Sequence, residues 1–329
     1  QKISDSDKKK IALFTNVDEK AVINSIDVSN IYEIPIVLHE QGLDNIVIQK
    51  LNIKCKKPSL IEWKNYKQKR LKITEKVTIS IVAKYGNYSE SYKSLNEAVH
   101  HAGVHNNVDV EIKYIDSESL KKDGNKAFKG VNGIIVPGGF GTRGIEGKIS
   151  AAKYAREQEI PYLGICLGMQ VAAIEFARSC LNLQKANSTE FNSKTKHPII
   201  ALIEEWLDKK GTIEYRNTNS NIGGTMRLGE QECMLKKNSI IHKSYNKKSI
   251  YERHRHRYEF NSKYRDKFVK KGFIVTGSSL DDKLVEVIEL KDHPWYLGCQ
   301  FHPEFTSKPI GGHPLFNSFI LAVKKKSDE

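Results

Sequence analysis

The feature that most constrains this chain is Gly164-Ile165-Cys166-Leu167-Gly168-Met169-Gln170, set directly behind the apolar run Pro161-Tyr162-Leu163. A cysteine bracketed by glycines, at the end of an apolar strand and ahead of helix-forming residues, fits a nucleophile elbow. The strand has to turn sharply into a helix there. That turn lifts the side chain clear of the sheet and frees the next backbone N–H to hold an oxyanion. Cys166 alone also has a plainer reading, as one of the small buried hydrophobes that most intracellular cysteines are. Far downstream, His302-Pro303-Glu304 follows another apolar run. It supplies what a thiol nucleophile lacks, a base and a carboxylate to orient the base. Such partners meet in the fold rather than along the chain, and their joint presence favours a catalytic set of Cys166, His302 and Glu304.

From Val77 onward, short apolar runs alternate with helical spacing. Strands are expected at 77–82, 108–115, 133–137 and 161–165. Helices are expected at 91–101, stopping at Gly103, at 149–158 and at 167–178. This alternation predicts an α/β fold, a doubly wound, mostly parallel sheet flanked by helices. Functional groups in such sheets gather at the carboxyl ends of the strands, where Cys166 and the glycines after Pro137 fall. More strands are expected at 274–277, 284–290 and 295–301, and a closing helix at 315–323. Ahead of Val77, residues 1–55 show a strand-like run, Ile11-Ala12-Leu13-Phe14, then a helix from Pro35 to His39 and a second ending near Leu51. That is too little to bury a core alone. Residues 56–76 form a Lys-rich segment around Trp63, read as a linker helix. The expected division is therefore 1–55, a linker at 56–76, and a main domain at 77–329.

Composition narrows the class. No apolar run in the 329 residues approaches the roughly 20 needed to span a bilayer, and no secretory signal is visible behind Gln1. The start at Gln1 rather than Met suggests a cut fragment. The five cysteines are odd in number and irregular in spacing, which points to a reduced, cytosolic setting and to no metal site. The net charge of +14 invites a nucleic-acid partner. The lysines are scattered in short runs such as Lys8-Lys9-Lys10 and Lys324-Lys325-Lys326, so a lysine-rich solvated surface is the stronger reading.

Three motifs compete for attention. Gly139-Phe140-Gly141-Thr142-Arg143-Gly144 satisfies G-x-G-x-x-G literally, and Glu159 follows about 20 residues later. It stands at the third or fourth strand instead of the first, so an oxyanion or substrate-backbone role for its free amides is preferred to a dinucleotide site. Gly147-Lys148 fails as a phosphate loop, because Ile149 occupies the Ser/Thr position. Arg253-His254-Arg255-His256-Arg257 reads as a strand with its three arginines on one face. That face is either solvated or placed to fork onto a carboxylate.

With these residues in hand, the chain resembles the CTP synthase family, in particular its C-terminal class I, triad-type glutamine amidotransferase domain. The resemblance runs from about Val77 to Val323. It rests on Lys84-Tyr85, Val136 to Gly141, Gly164 to Gln170, Asn187 to Phe191, Gly223-Gly224-Thr225-Met226-Arg227-Leu228-Gly229, Glu252 to Glu259 and Gln300 to Phe305. Residues 1–55 resemble the end of that family's synthetase domain, as in Lys10-Ile11-Ala12-Leu13-Phe14 and Ile31-Tyr32-Glu33-Ile34-Pro35. The family's phosphate loop and magnesium carboxylates have no counterpart in this sequence.

The resemblance implies hydrolysis of L-glutamine, with the ammonia passed to an activated UTP. It implies Cys166 as nucleophile, His302 as base and Glu304 as its orienting carboxylate. The amides of Gly139 and Leu167 become the oxyanion hole. Gly139, Leu167, Gly168, Met169, Gln170, Glu190 and Arg257 become the glutamine contacts, with Glu190 at the amino end and Arg257 at the carboxylate. Lys10, Ile26, Asp27 and Val28 are implied as remnants of nucleotide sites, and Arg216 as part of a GTP-responsive lid. No cofactor is implied for the glutaminase step. ATP and Mg2+ belong to the full-length enzyme, with GTP as allosteric activator. The synthetase domain is implied as ammonia acceptor, and a cytoplasmic homotetramer that can form filaments as the assembly. Neither nucleic acid nor membrane is expected as a partner. A non-catalytic binding or assembly module of the same family is the competing reading.

Overall fold

A computed structural model describes every residue except 1, 85–88, 121–123, 203–204, 208–212 and 216–225, with backbone alone at 89, 205–207 and 213–215. The chain divides into two compact units, Gln1–Ile73 and Thr74–Glu329.

The first unit is helical: α1 (Asp5–Thr15), α2 (Ile34–Glu40), α3 (Leu43–Lys50) and α4 (Ile61–Leu71). The run Ile11 to Phe14, expected as a strand, is the last turn and a half of α1. Ser4 caps that helix by accepting from the Asp7 amide at 3.1 Å, and two acidic residues in its first turn suit the helix dipole. Leu13 and Phe14 are largely exposed, so the apolar run is not a buried strand. The segment expected as a linker packs within this unit. Tyr32 stacks on Trp63 of α4 at 6.3 Å, and Lys67 pairs with Glu33. Among the described residues of the unit, only Ala12, Val22, Asn24, Ile36 and Tyr66 are buried.

The second unit is built on a nine-stranded sheet. Its elements are β1 (Lys76–Ala83), α5 (Lys93–His105), β2 (Asp109–Asp116), β3 (Gly133–Val136), α6 (Ile145–Glu157), β4 (Tyr162–Ile165) and α7 (Leu167–Cys180). Then come β5 (Ala186–Ser188), β6 (His197–Leu202), β7 (Glu205–Leu207), β8 (Ile213–Tyr215), β9 (Arg227–Leu235), α8 (Ile240–Tyr245), β10 (Ser249–His256) and β11 (Tyr258–Phe260). The chain closes with α9 (Arg265–Lys270), β12 (Phe273–Ser278), β13 (Val285–Leu290), β14 (Tyr296–Cys299) and α10 (Pro314–Ser327).

The large sheet runs β10-β9-β12-β13-β14-β4-β3-β1-β2. It is parallel from β2 to β14 and antiparallel from β14 to β10. Strand alternation feeds two cores. Ile134, Val136 and Tyr162 pack with α6 and α7 on one side, and Ile135, Leu163 and Ile165 pack with α5 and α10 on the other. This is the doubly wound α/β sheet expected from the alternation of strands and helices. A smaller sheet, β11-β6-β5, and the hairpin β7-β8 complete the unit. These strands, together with β9, carry too many polar residues to be read from the sequence alone.

Two helix bounds shift for steric reasons. Gly103 does not end α5, which continues to His105. A Cβ at Gly103 would sit 2.8 Å from the Val108 carbonyl oxygen and from a methyl of Val110, so the glycine lets helix and strand approach. α6 begins at Ile145, behind Gly144 with φ +74°, a full turn earlier than expected. Gly168 faces the tightest approach at the elbow, since its Cβ would overlap the Val136 carbonyl oxygen. Gly168→Ala should therefore cost about 1–3 kcal/mol or more as overpacking, at roughly 2–4 °C per kcal/mol for a unit of this size. Thermal unfolding followed by circular dichroism checks this, and an unchanged melting temperature contradicts it.

Candidate active site

β3, β4 and β14 lie side by side and parallel, with Val136 beside Gly164 and Gly164 beside Gly298. Their carboxyl ends therefore release Gly138-Gly139, Cys166 and the His302 loop at one edge of the sheet. Cys166 has φ 52° and ψ −101°, a region that side-chain-bearing residues rarely occupy and that costs of order 1–3 kcal/mol. Its amide donates to Cys299 O at 2.7 Å, and its carbonyl accepts from the Gln170 amide at 3.2 Å. The flanking glycines make the turn sterically possible. A Cβ on Gly164 would lie 2.7 Å from the Gly168 backbone.

His302 Nδ1 donates across 2.7 Å to Glu304 Oε1, which leaves Nε2 as the nitrogen for the thiol. The His302 amide donates to Arg253 O at 2.8 Å, and the ring stacks on Phe305 at 5.4 Å. Gly138 gives the ring room, because a Cβ there would meet His302 Cε1 at 2.6 Å. Burial alone would lower the His302 pKa. Charge attraction to Cys166 and a hydrogen bond donated to its sulfur, with further help from Glu304, outweigh burial and raise it to about 10. The imidazolium is thus the held form at neutral pH, poised as an acid opposite the sulfur.

The expected oxyanion residues are brought together. The position of a Cβ on Gly139 is 3.3 Å from Leu167 Cδ2. The expected glutamine contacts divide into two groups. Glu190 Oε1 accepts from the Gly141 amide at 2.9 Å, and Arg257 is half-buried with its Nε lacking a hydrogen bond. Burial raises the pKa of the neighbouring Tyr258, the Glu190 charge adds to the rise and the Arg257 charge opposes it, so a carboxylate and a guanidinium both lie near this side chain. Gly168 and Met169, by contrast, are spent on packing, against Val136 and Gly298 respectively. Gln170 uses both amide N–H groups internally, on Tyr258 O at 2.9 Å and Gln300 Oε1 at 3.2 Å.

Lys10, Ile26, Asp27 and Val28 lie in the first unit. Lys10 is exposed on α1 beside Asp7, and Ile26 is also exposed. Arg216 and the polar stretch after it, with Tyr85 and Gly223-Gly224-Thr225, lie outside the described residues. The three arginines of 253–257 do not share a strand face as expected. β10 ends at His256, Arg253 and Arg255 are exposed, and Arg257 sits beyond the strand.

Three features escaped the sequence. Gln300 is fully buried and donates from Nε2 to Cys166 Sγ at 3.5 Å. Its place directly before Phe301-His302 was the available signal. The inward face of β10 carries Glu252, His254 and His256, all buried. His254 and His256 join at 2.9 Å, while Arg227 bridges Glu259 and Glu286 at 2.8 Å each. Burial, and then the Arg227 charge among others, holds both histidines well below their ordinary pKa. This paired network ties β9, β10, β11 and β13 together behind the strand whose Arg253 carbonyl holds His302. The third feature is Lys148, buried beside Gly139.

The raised His302 pKa fixes a sign. A histidine held above its ordinary 6.5 stabilises the fold fully below that pH, and the contribution is lost as pH rises through about 10. Cys166→Ala removes one source of the shift. The melting temperature of the variant should fall less steeply than the parent's between pH 7 and 10, and parallel curves would contradict the pairing.

The model for glutamine amidotransferase class-I matches residues 88–322, and the model for the CTP synthase N-terminus matches residues 1–53. The chain is similar to the Trypanosoma brucei CTPS glutaminase domain, solved with bound acivicin, at 35% identity and a TM-score of 0.67. That match covers 76% of this chain and 94% of the other. A glutamine amido transferase from Methylobacillus flagellatus matches at 10% identity and a TM-score of 0.40, over 70% of each chain. On these matches, which span the cysteine elbow and the His–Glu pair, this chain belongs to the CTP synthase family and carries its class I glutamine amidotransferase domain.

Proposed function

We propose that this chain hydrolyses L-glutamine to glutamate and ammonia through a thioester on Cys166. The observation that carries the reading is the Cys166 elbow, at φ 52°, opposite a His302 whose Nδ1 is fixed 2.7 Å from Glu304. Cys166 Sγ attacks the side-chain amide carbon of glutamine. The amides of Gly139 and Leu167 hold the oxyanion, each such donor typically being worth roughly 2.7–4 kcal/mol. His302 protonates the departing nitrogen, the C–N bond breaks and ammonia leaves. His302 then takes a proton from water, the hydroxide displaces the thiolate, and glutamate is released. Glu190 and Arg257, charged oppositely and both near Tyr258, suit the α-amino and α-carboxylate groups of a free amino acid. The acivicin carried by the T. brucei domain supports an amino-acid-sized site of this kind.

In the complete enzyme the ammonia aminates UTP to CTP, with ATP hydrolysed at the synthetase domain, Mg2+ as its cofactor there and GTP as activator, in a cytoplasmic homotetramer. Lys10, Ile26, Asp27 and Val28 supply one cation, one carboxylate and two apolar side chains, with no glycine loop to grip phosphates. That set does not make a nucleotide site on its own. Purified protein given UTP and ATP should therefore yield no CTP.

The test is glutamate release from glutamine, with and without GTP, beside intact mass after treatment with 6-diazo-5-oxo-norleucine. Turnover with a single adduct on Cys166 is expected. Neither turnover nor adduct would favour a non-catalytic module. Glu304→Gln should keep the adduct site but lower kcat by about 10²–10⁴-fold, the usual range for general acid–base help. An unchanged kcat would remove Glu304 from the mechanism.

A further inference from the structure

Lys148 stands on the first turn of α6 and is 2% exposed. Among the described residues, no hydrogen bond or ion pair is made by its ammonium. The Nζ lies 3.4 Å from where a Cβ on Gly139 would be, beside the residue whose amide is the expected oxyanion donor. A buried ammonium without an anion is costly, and such charges persist where a partner appears during function. The anions that appear near Gly139 are the Cys166 thiolate and then the tetrahedral oxyanion.

We infer that Lys148 is a positioning residue of the glutaminase site, its ammonium acting through the Gly139 peptide as the fixed counter-charge for the anion that forms at Cys166. The inference rests on the proposed thioester chemistry. Its position explains the glycine at 139, since any side chain there would press on both Lys148 Nζ and Leu167 Cδ2. It also gives Gly147-Lys148 a role after the phosphate-loop reading fails. The surroundings agree. Burial, and then the neighbouring Lys84 charge, lower the Lys148 pKa to about 8, while Cys166 pulls it back up. The other charged groups facing this corner are His302 and Glu304 beyond the sulfur, and Glu190 on the Gly141 amide. An opposite charge within a few ångströms shifts such equilibria by one unit or more, which is tenfold in population.

The test replaces the charge and keeps the shape. Lys148→Met should alkylate Cys166 with iodoacetamide about tenfold more slowly at pH 7, with the rate–pH curve displaced to higher pH. Its glutaminase kcat should fall by a similar factor with KM little changed, the mark of an interaction absent from the ground state. Its melting temperature at pH 7 should equal or exceed the parent's, because an uncompensated buried charge has gone. Alkylation is read by peptide mass and needs no turnover, so it decides the role of Lys148 even if glutamine is not the substrate. A Lys148→Met protein with the parent's alkylation curve, or with only KM changed, overturns the inference. If that variant does not fold, the parent chain decides: in [13Cε]lysine-labelled protein, alkylation of Cys166 should move the Lys148 titration to lower pH. An unmoved titration would overturn it equally.

Discussion

Everything in the site depends on one close approach, that of Gly164 and Gly168 around Cys166. β4 must end and α7 must begin within a single residue, because Gly168 packs under the Val136 carbonyl of the neighbouring strand and Gly164 packs on Gly168. Cys166 is the residue left to absorb the turn, at positive φ. The sulfur is thereby placed, still buried, beside His302 and Gln300, and the Leu167 amide stands at the helix start. Strain of this size persists only where the surrounding packing over-determines it, and here two glycines and the bond to Cys299 do so.

The second layer is electrostatic. The His302 loop is anchored by its amide on β10 and by its ring on Phe305 and Glu304. β10 is in turn held by charged groups that are buried and paired: Arg227 with Glu259 and Glu286, and Glu252 with His313 at 3.0 Å. Burial raises the Glu259 pKa to about 8, with the Glu286 charge adding to the rise and Arg227 opposing it. Such pairs stabilise little in net terms but are costly to break singly. They hold the polar part of a face whose apolar contribution is Ile250.

The sequence made the chemistry more legible than its support. The triad could be read because a Gly-x-Cys-x-Gly turn and a His-x-Glu pair each demand residue types that packing alone does not. The parallel strands could be read because both of their faces are buried, giving unbroken apolar runs. The α1 segment was misread because four apolar residues fit a strand as well as a helix turn, and the deciding signal was the Ser4 cap upstream. The buried face of β10 was left open because alternation reveals that two faces exist but not which one is buried; Arg253 and Arg255 are on the exposed one. Gln300 and Lys148 were passed over because a buried polar residue beside a site carries no periodic or spacing signal. Its meaning comes from which strands the fold places side by side.

The central claim is that glutamine is opened on Cys166 itself. Acid quenching of the protein during glutamine turnover, followed by peptide mass spectrometry, tests it directly. The account predicts a glutamyl adduct on the peptide containing Cys166, labile to hydroxylamine. Sustained glutamate release with that peptide never modified, or an adduct on another residue, would contradict it.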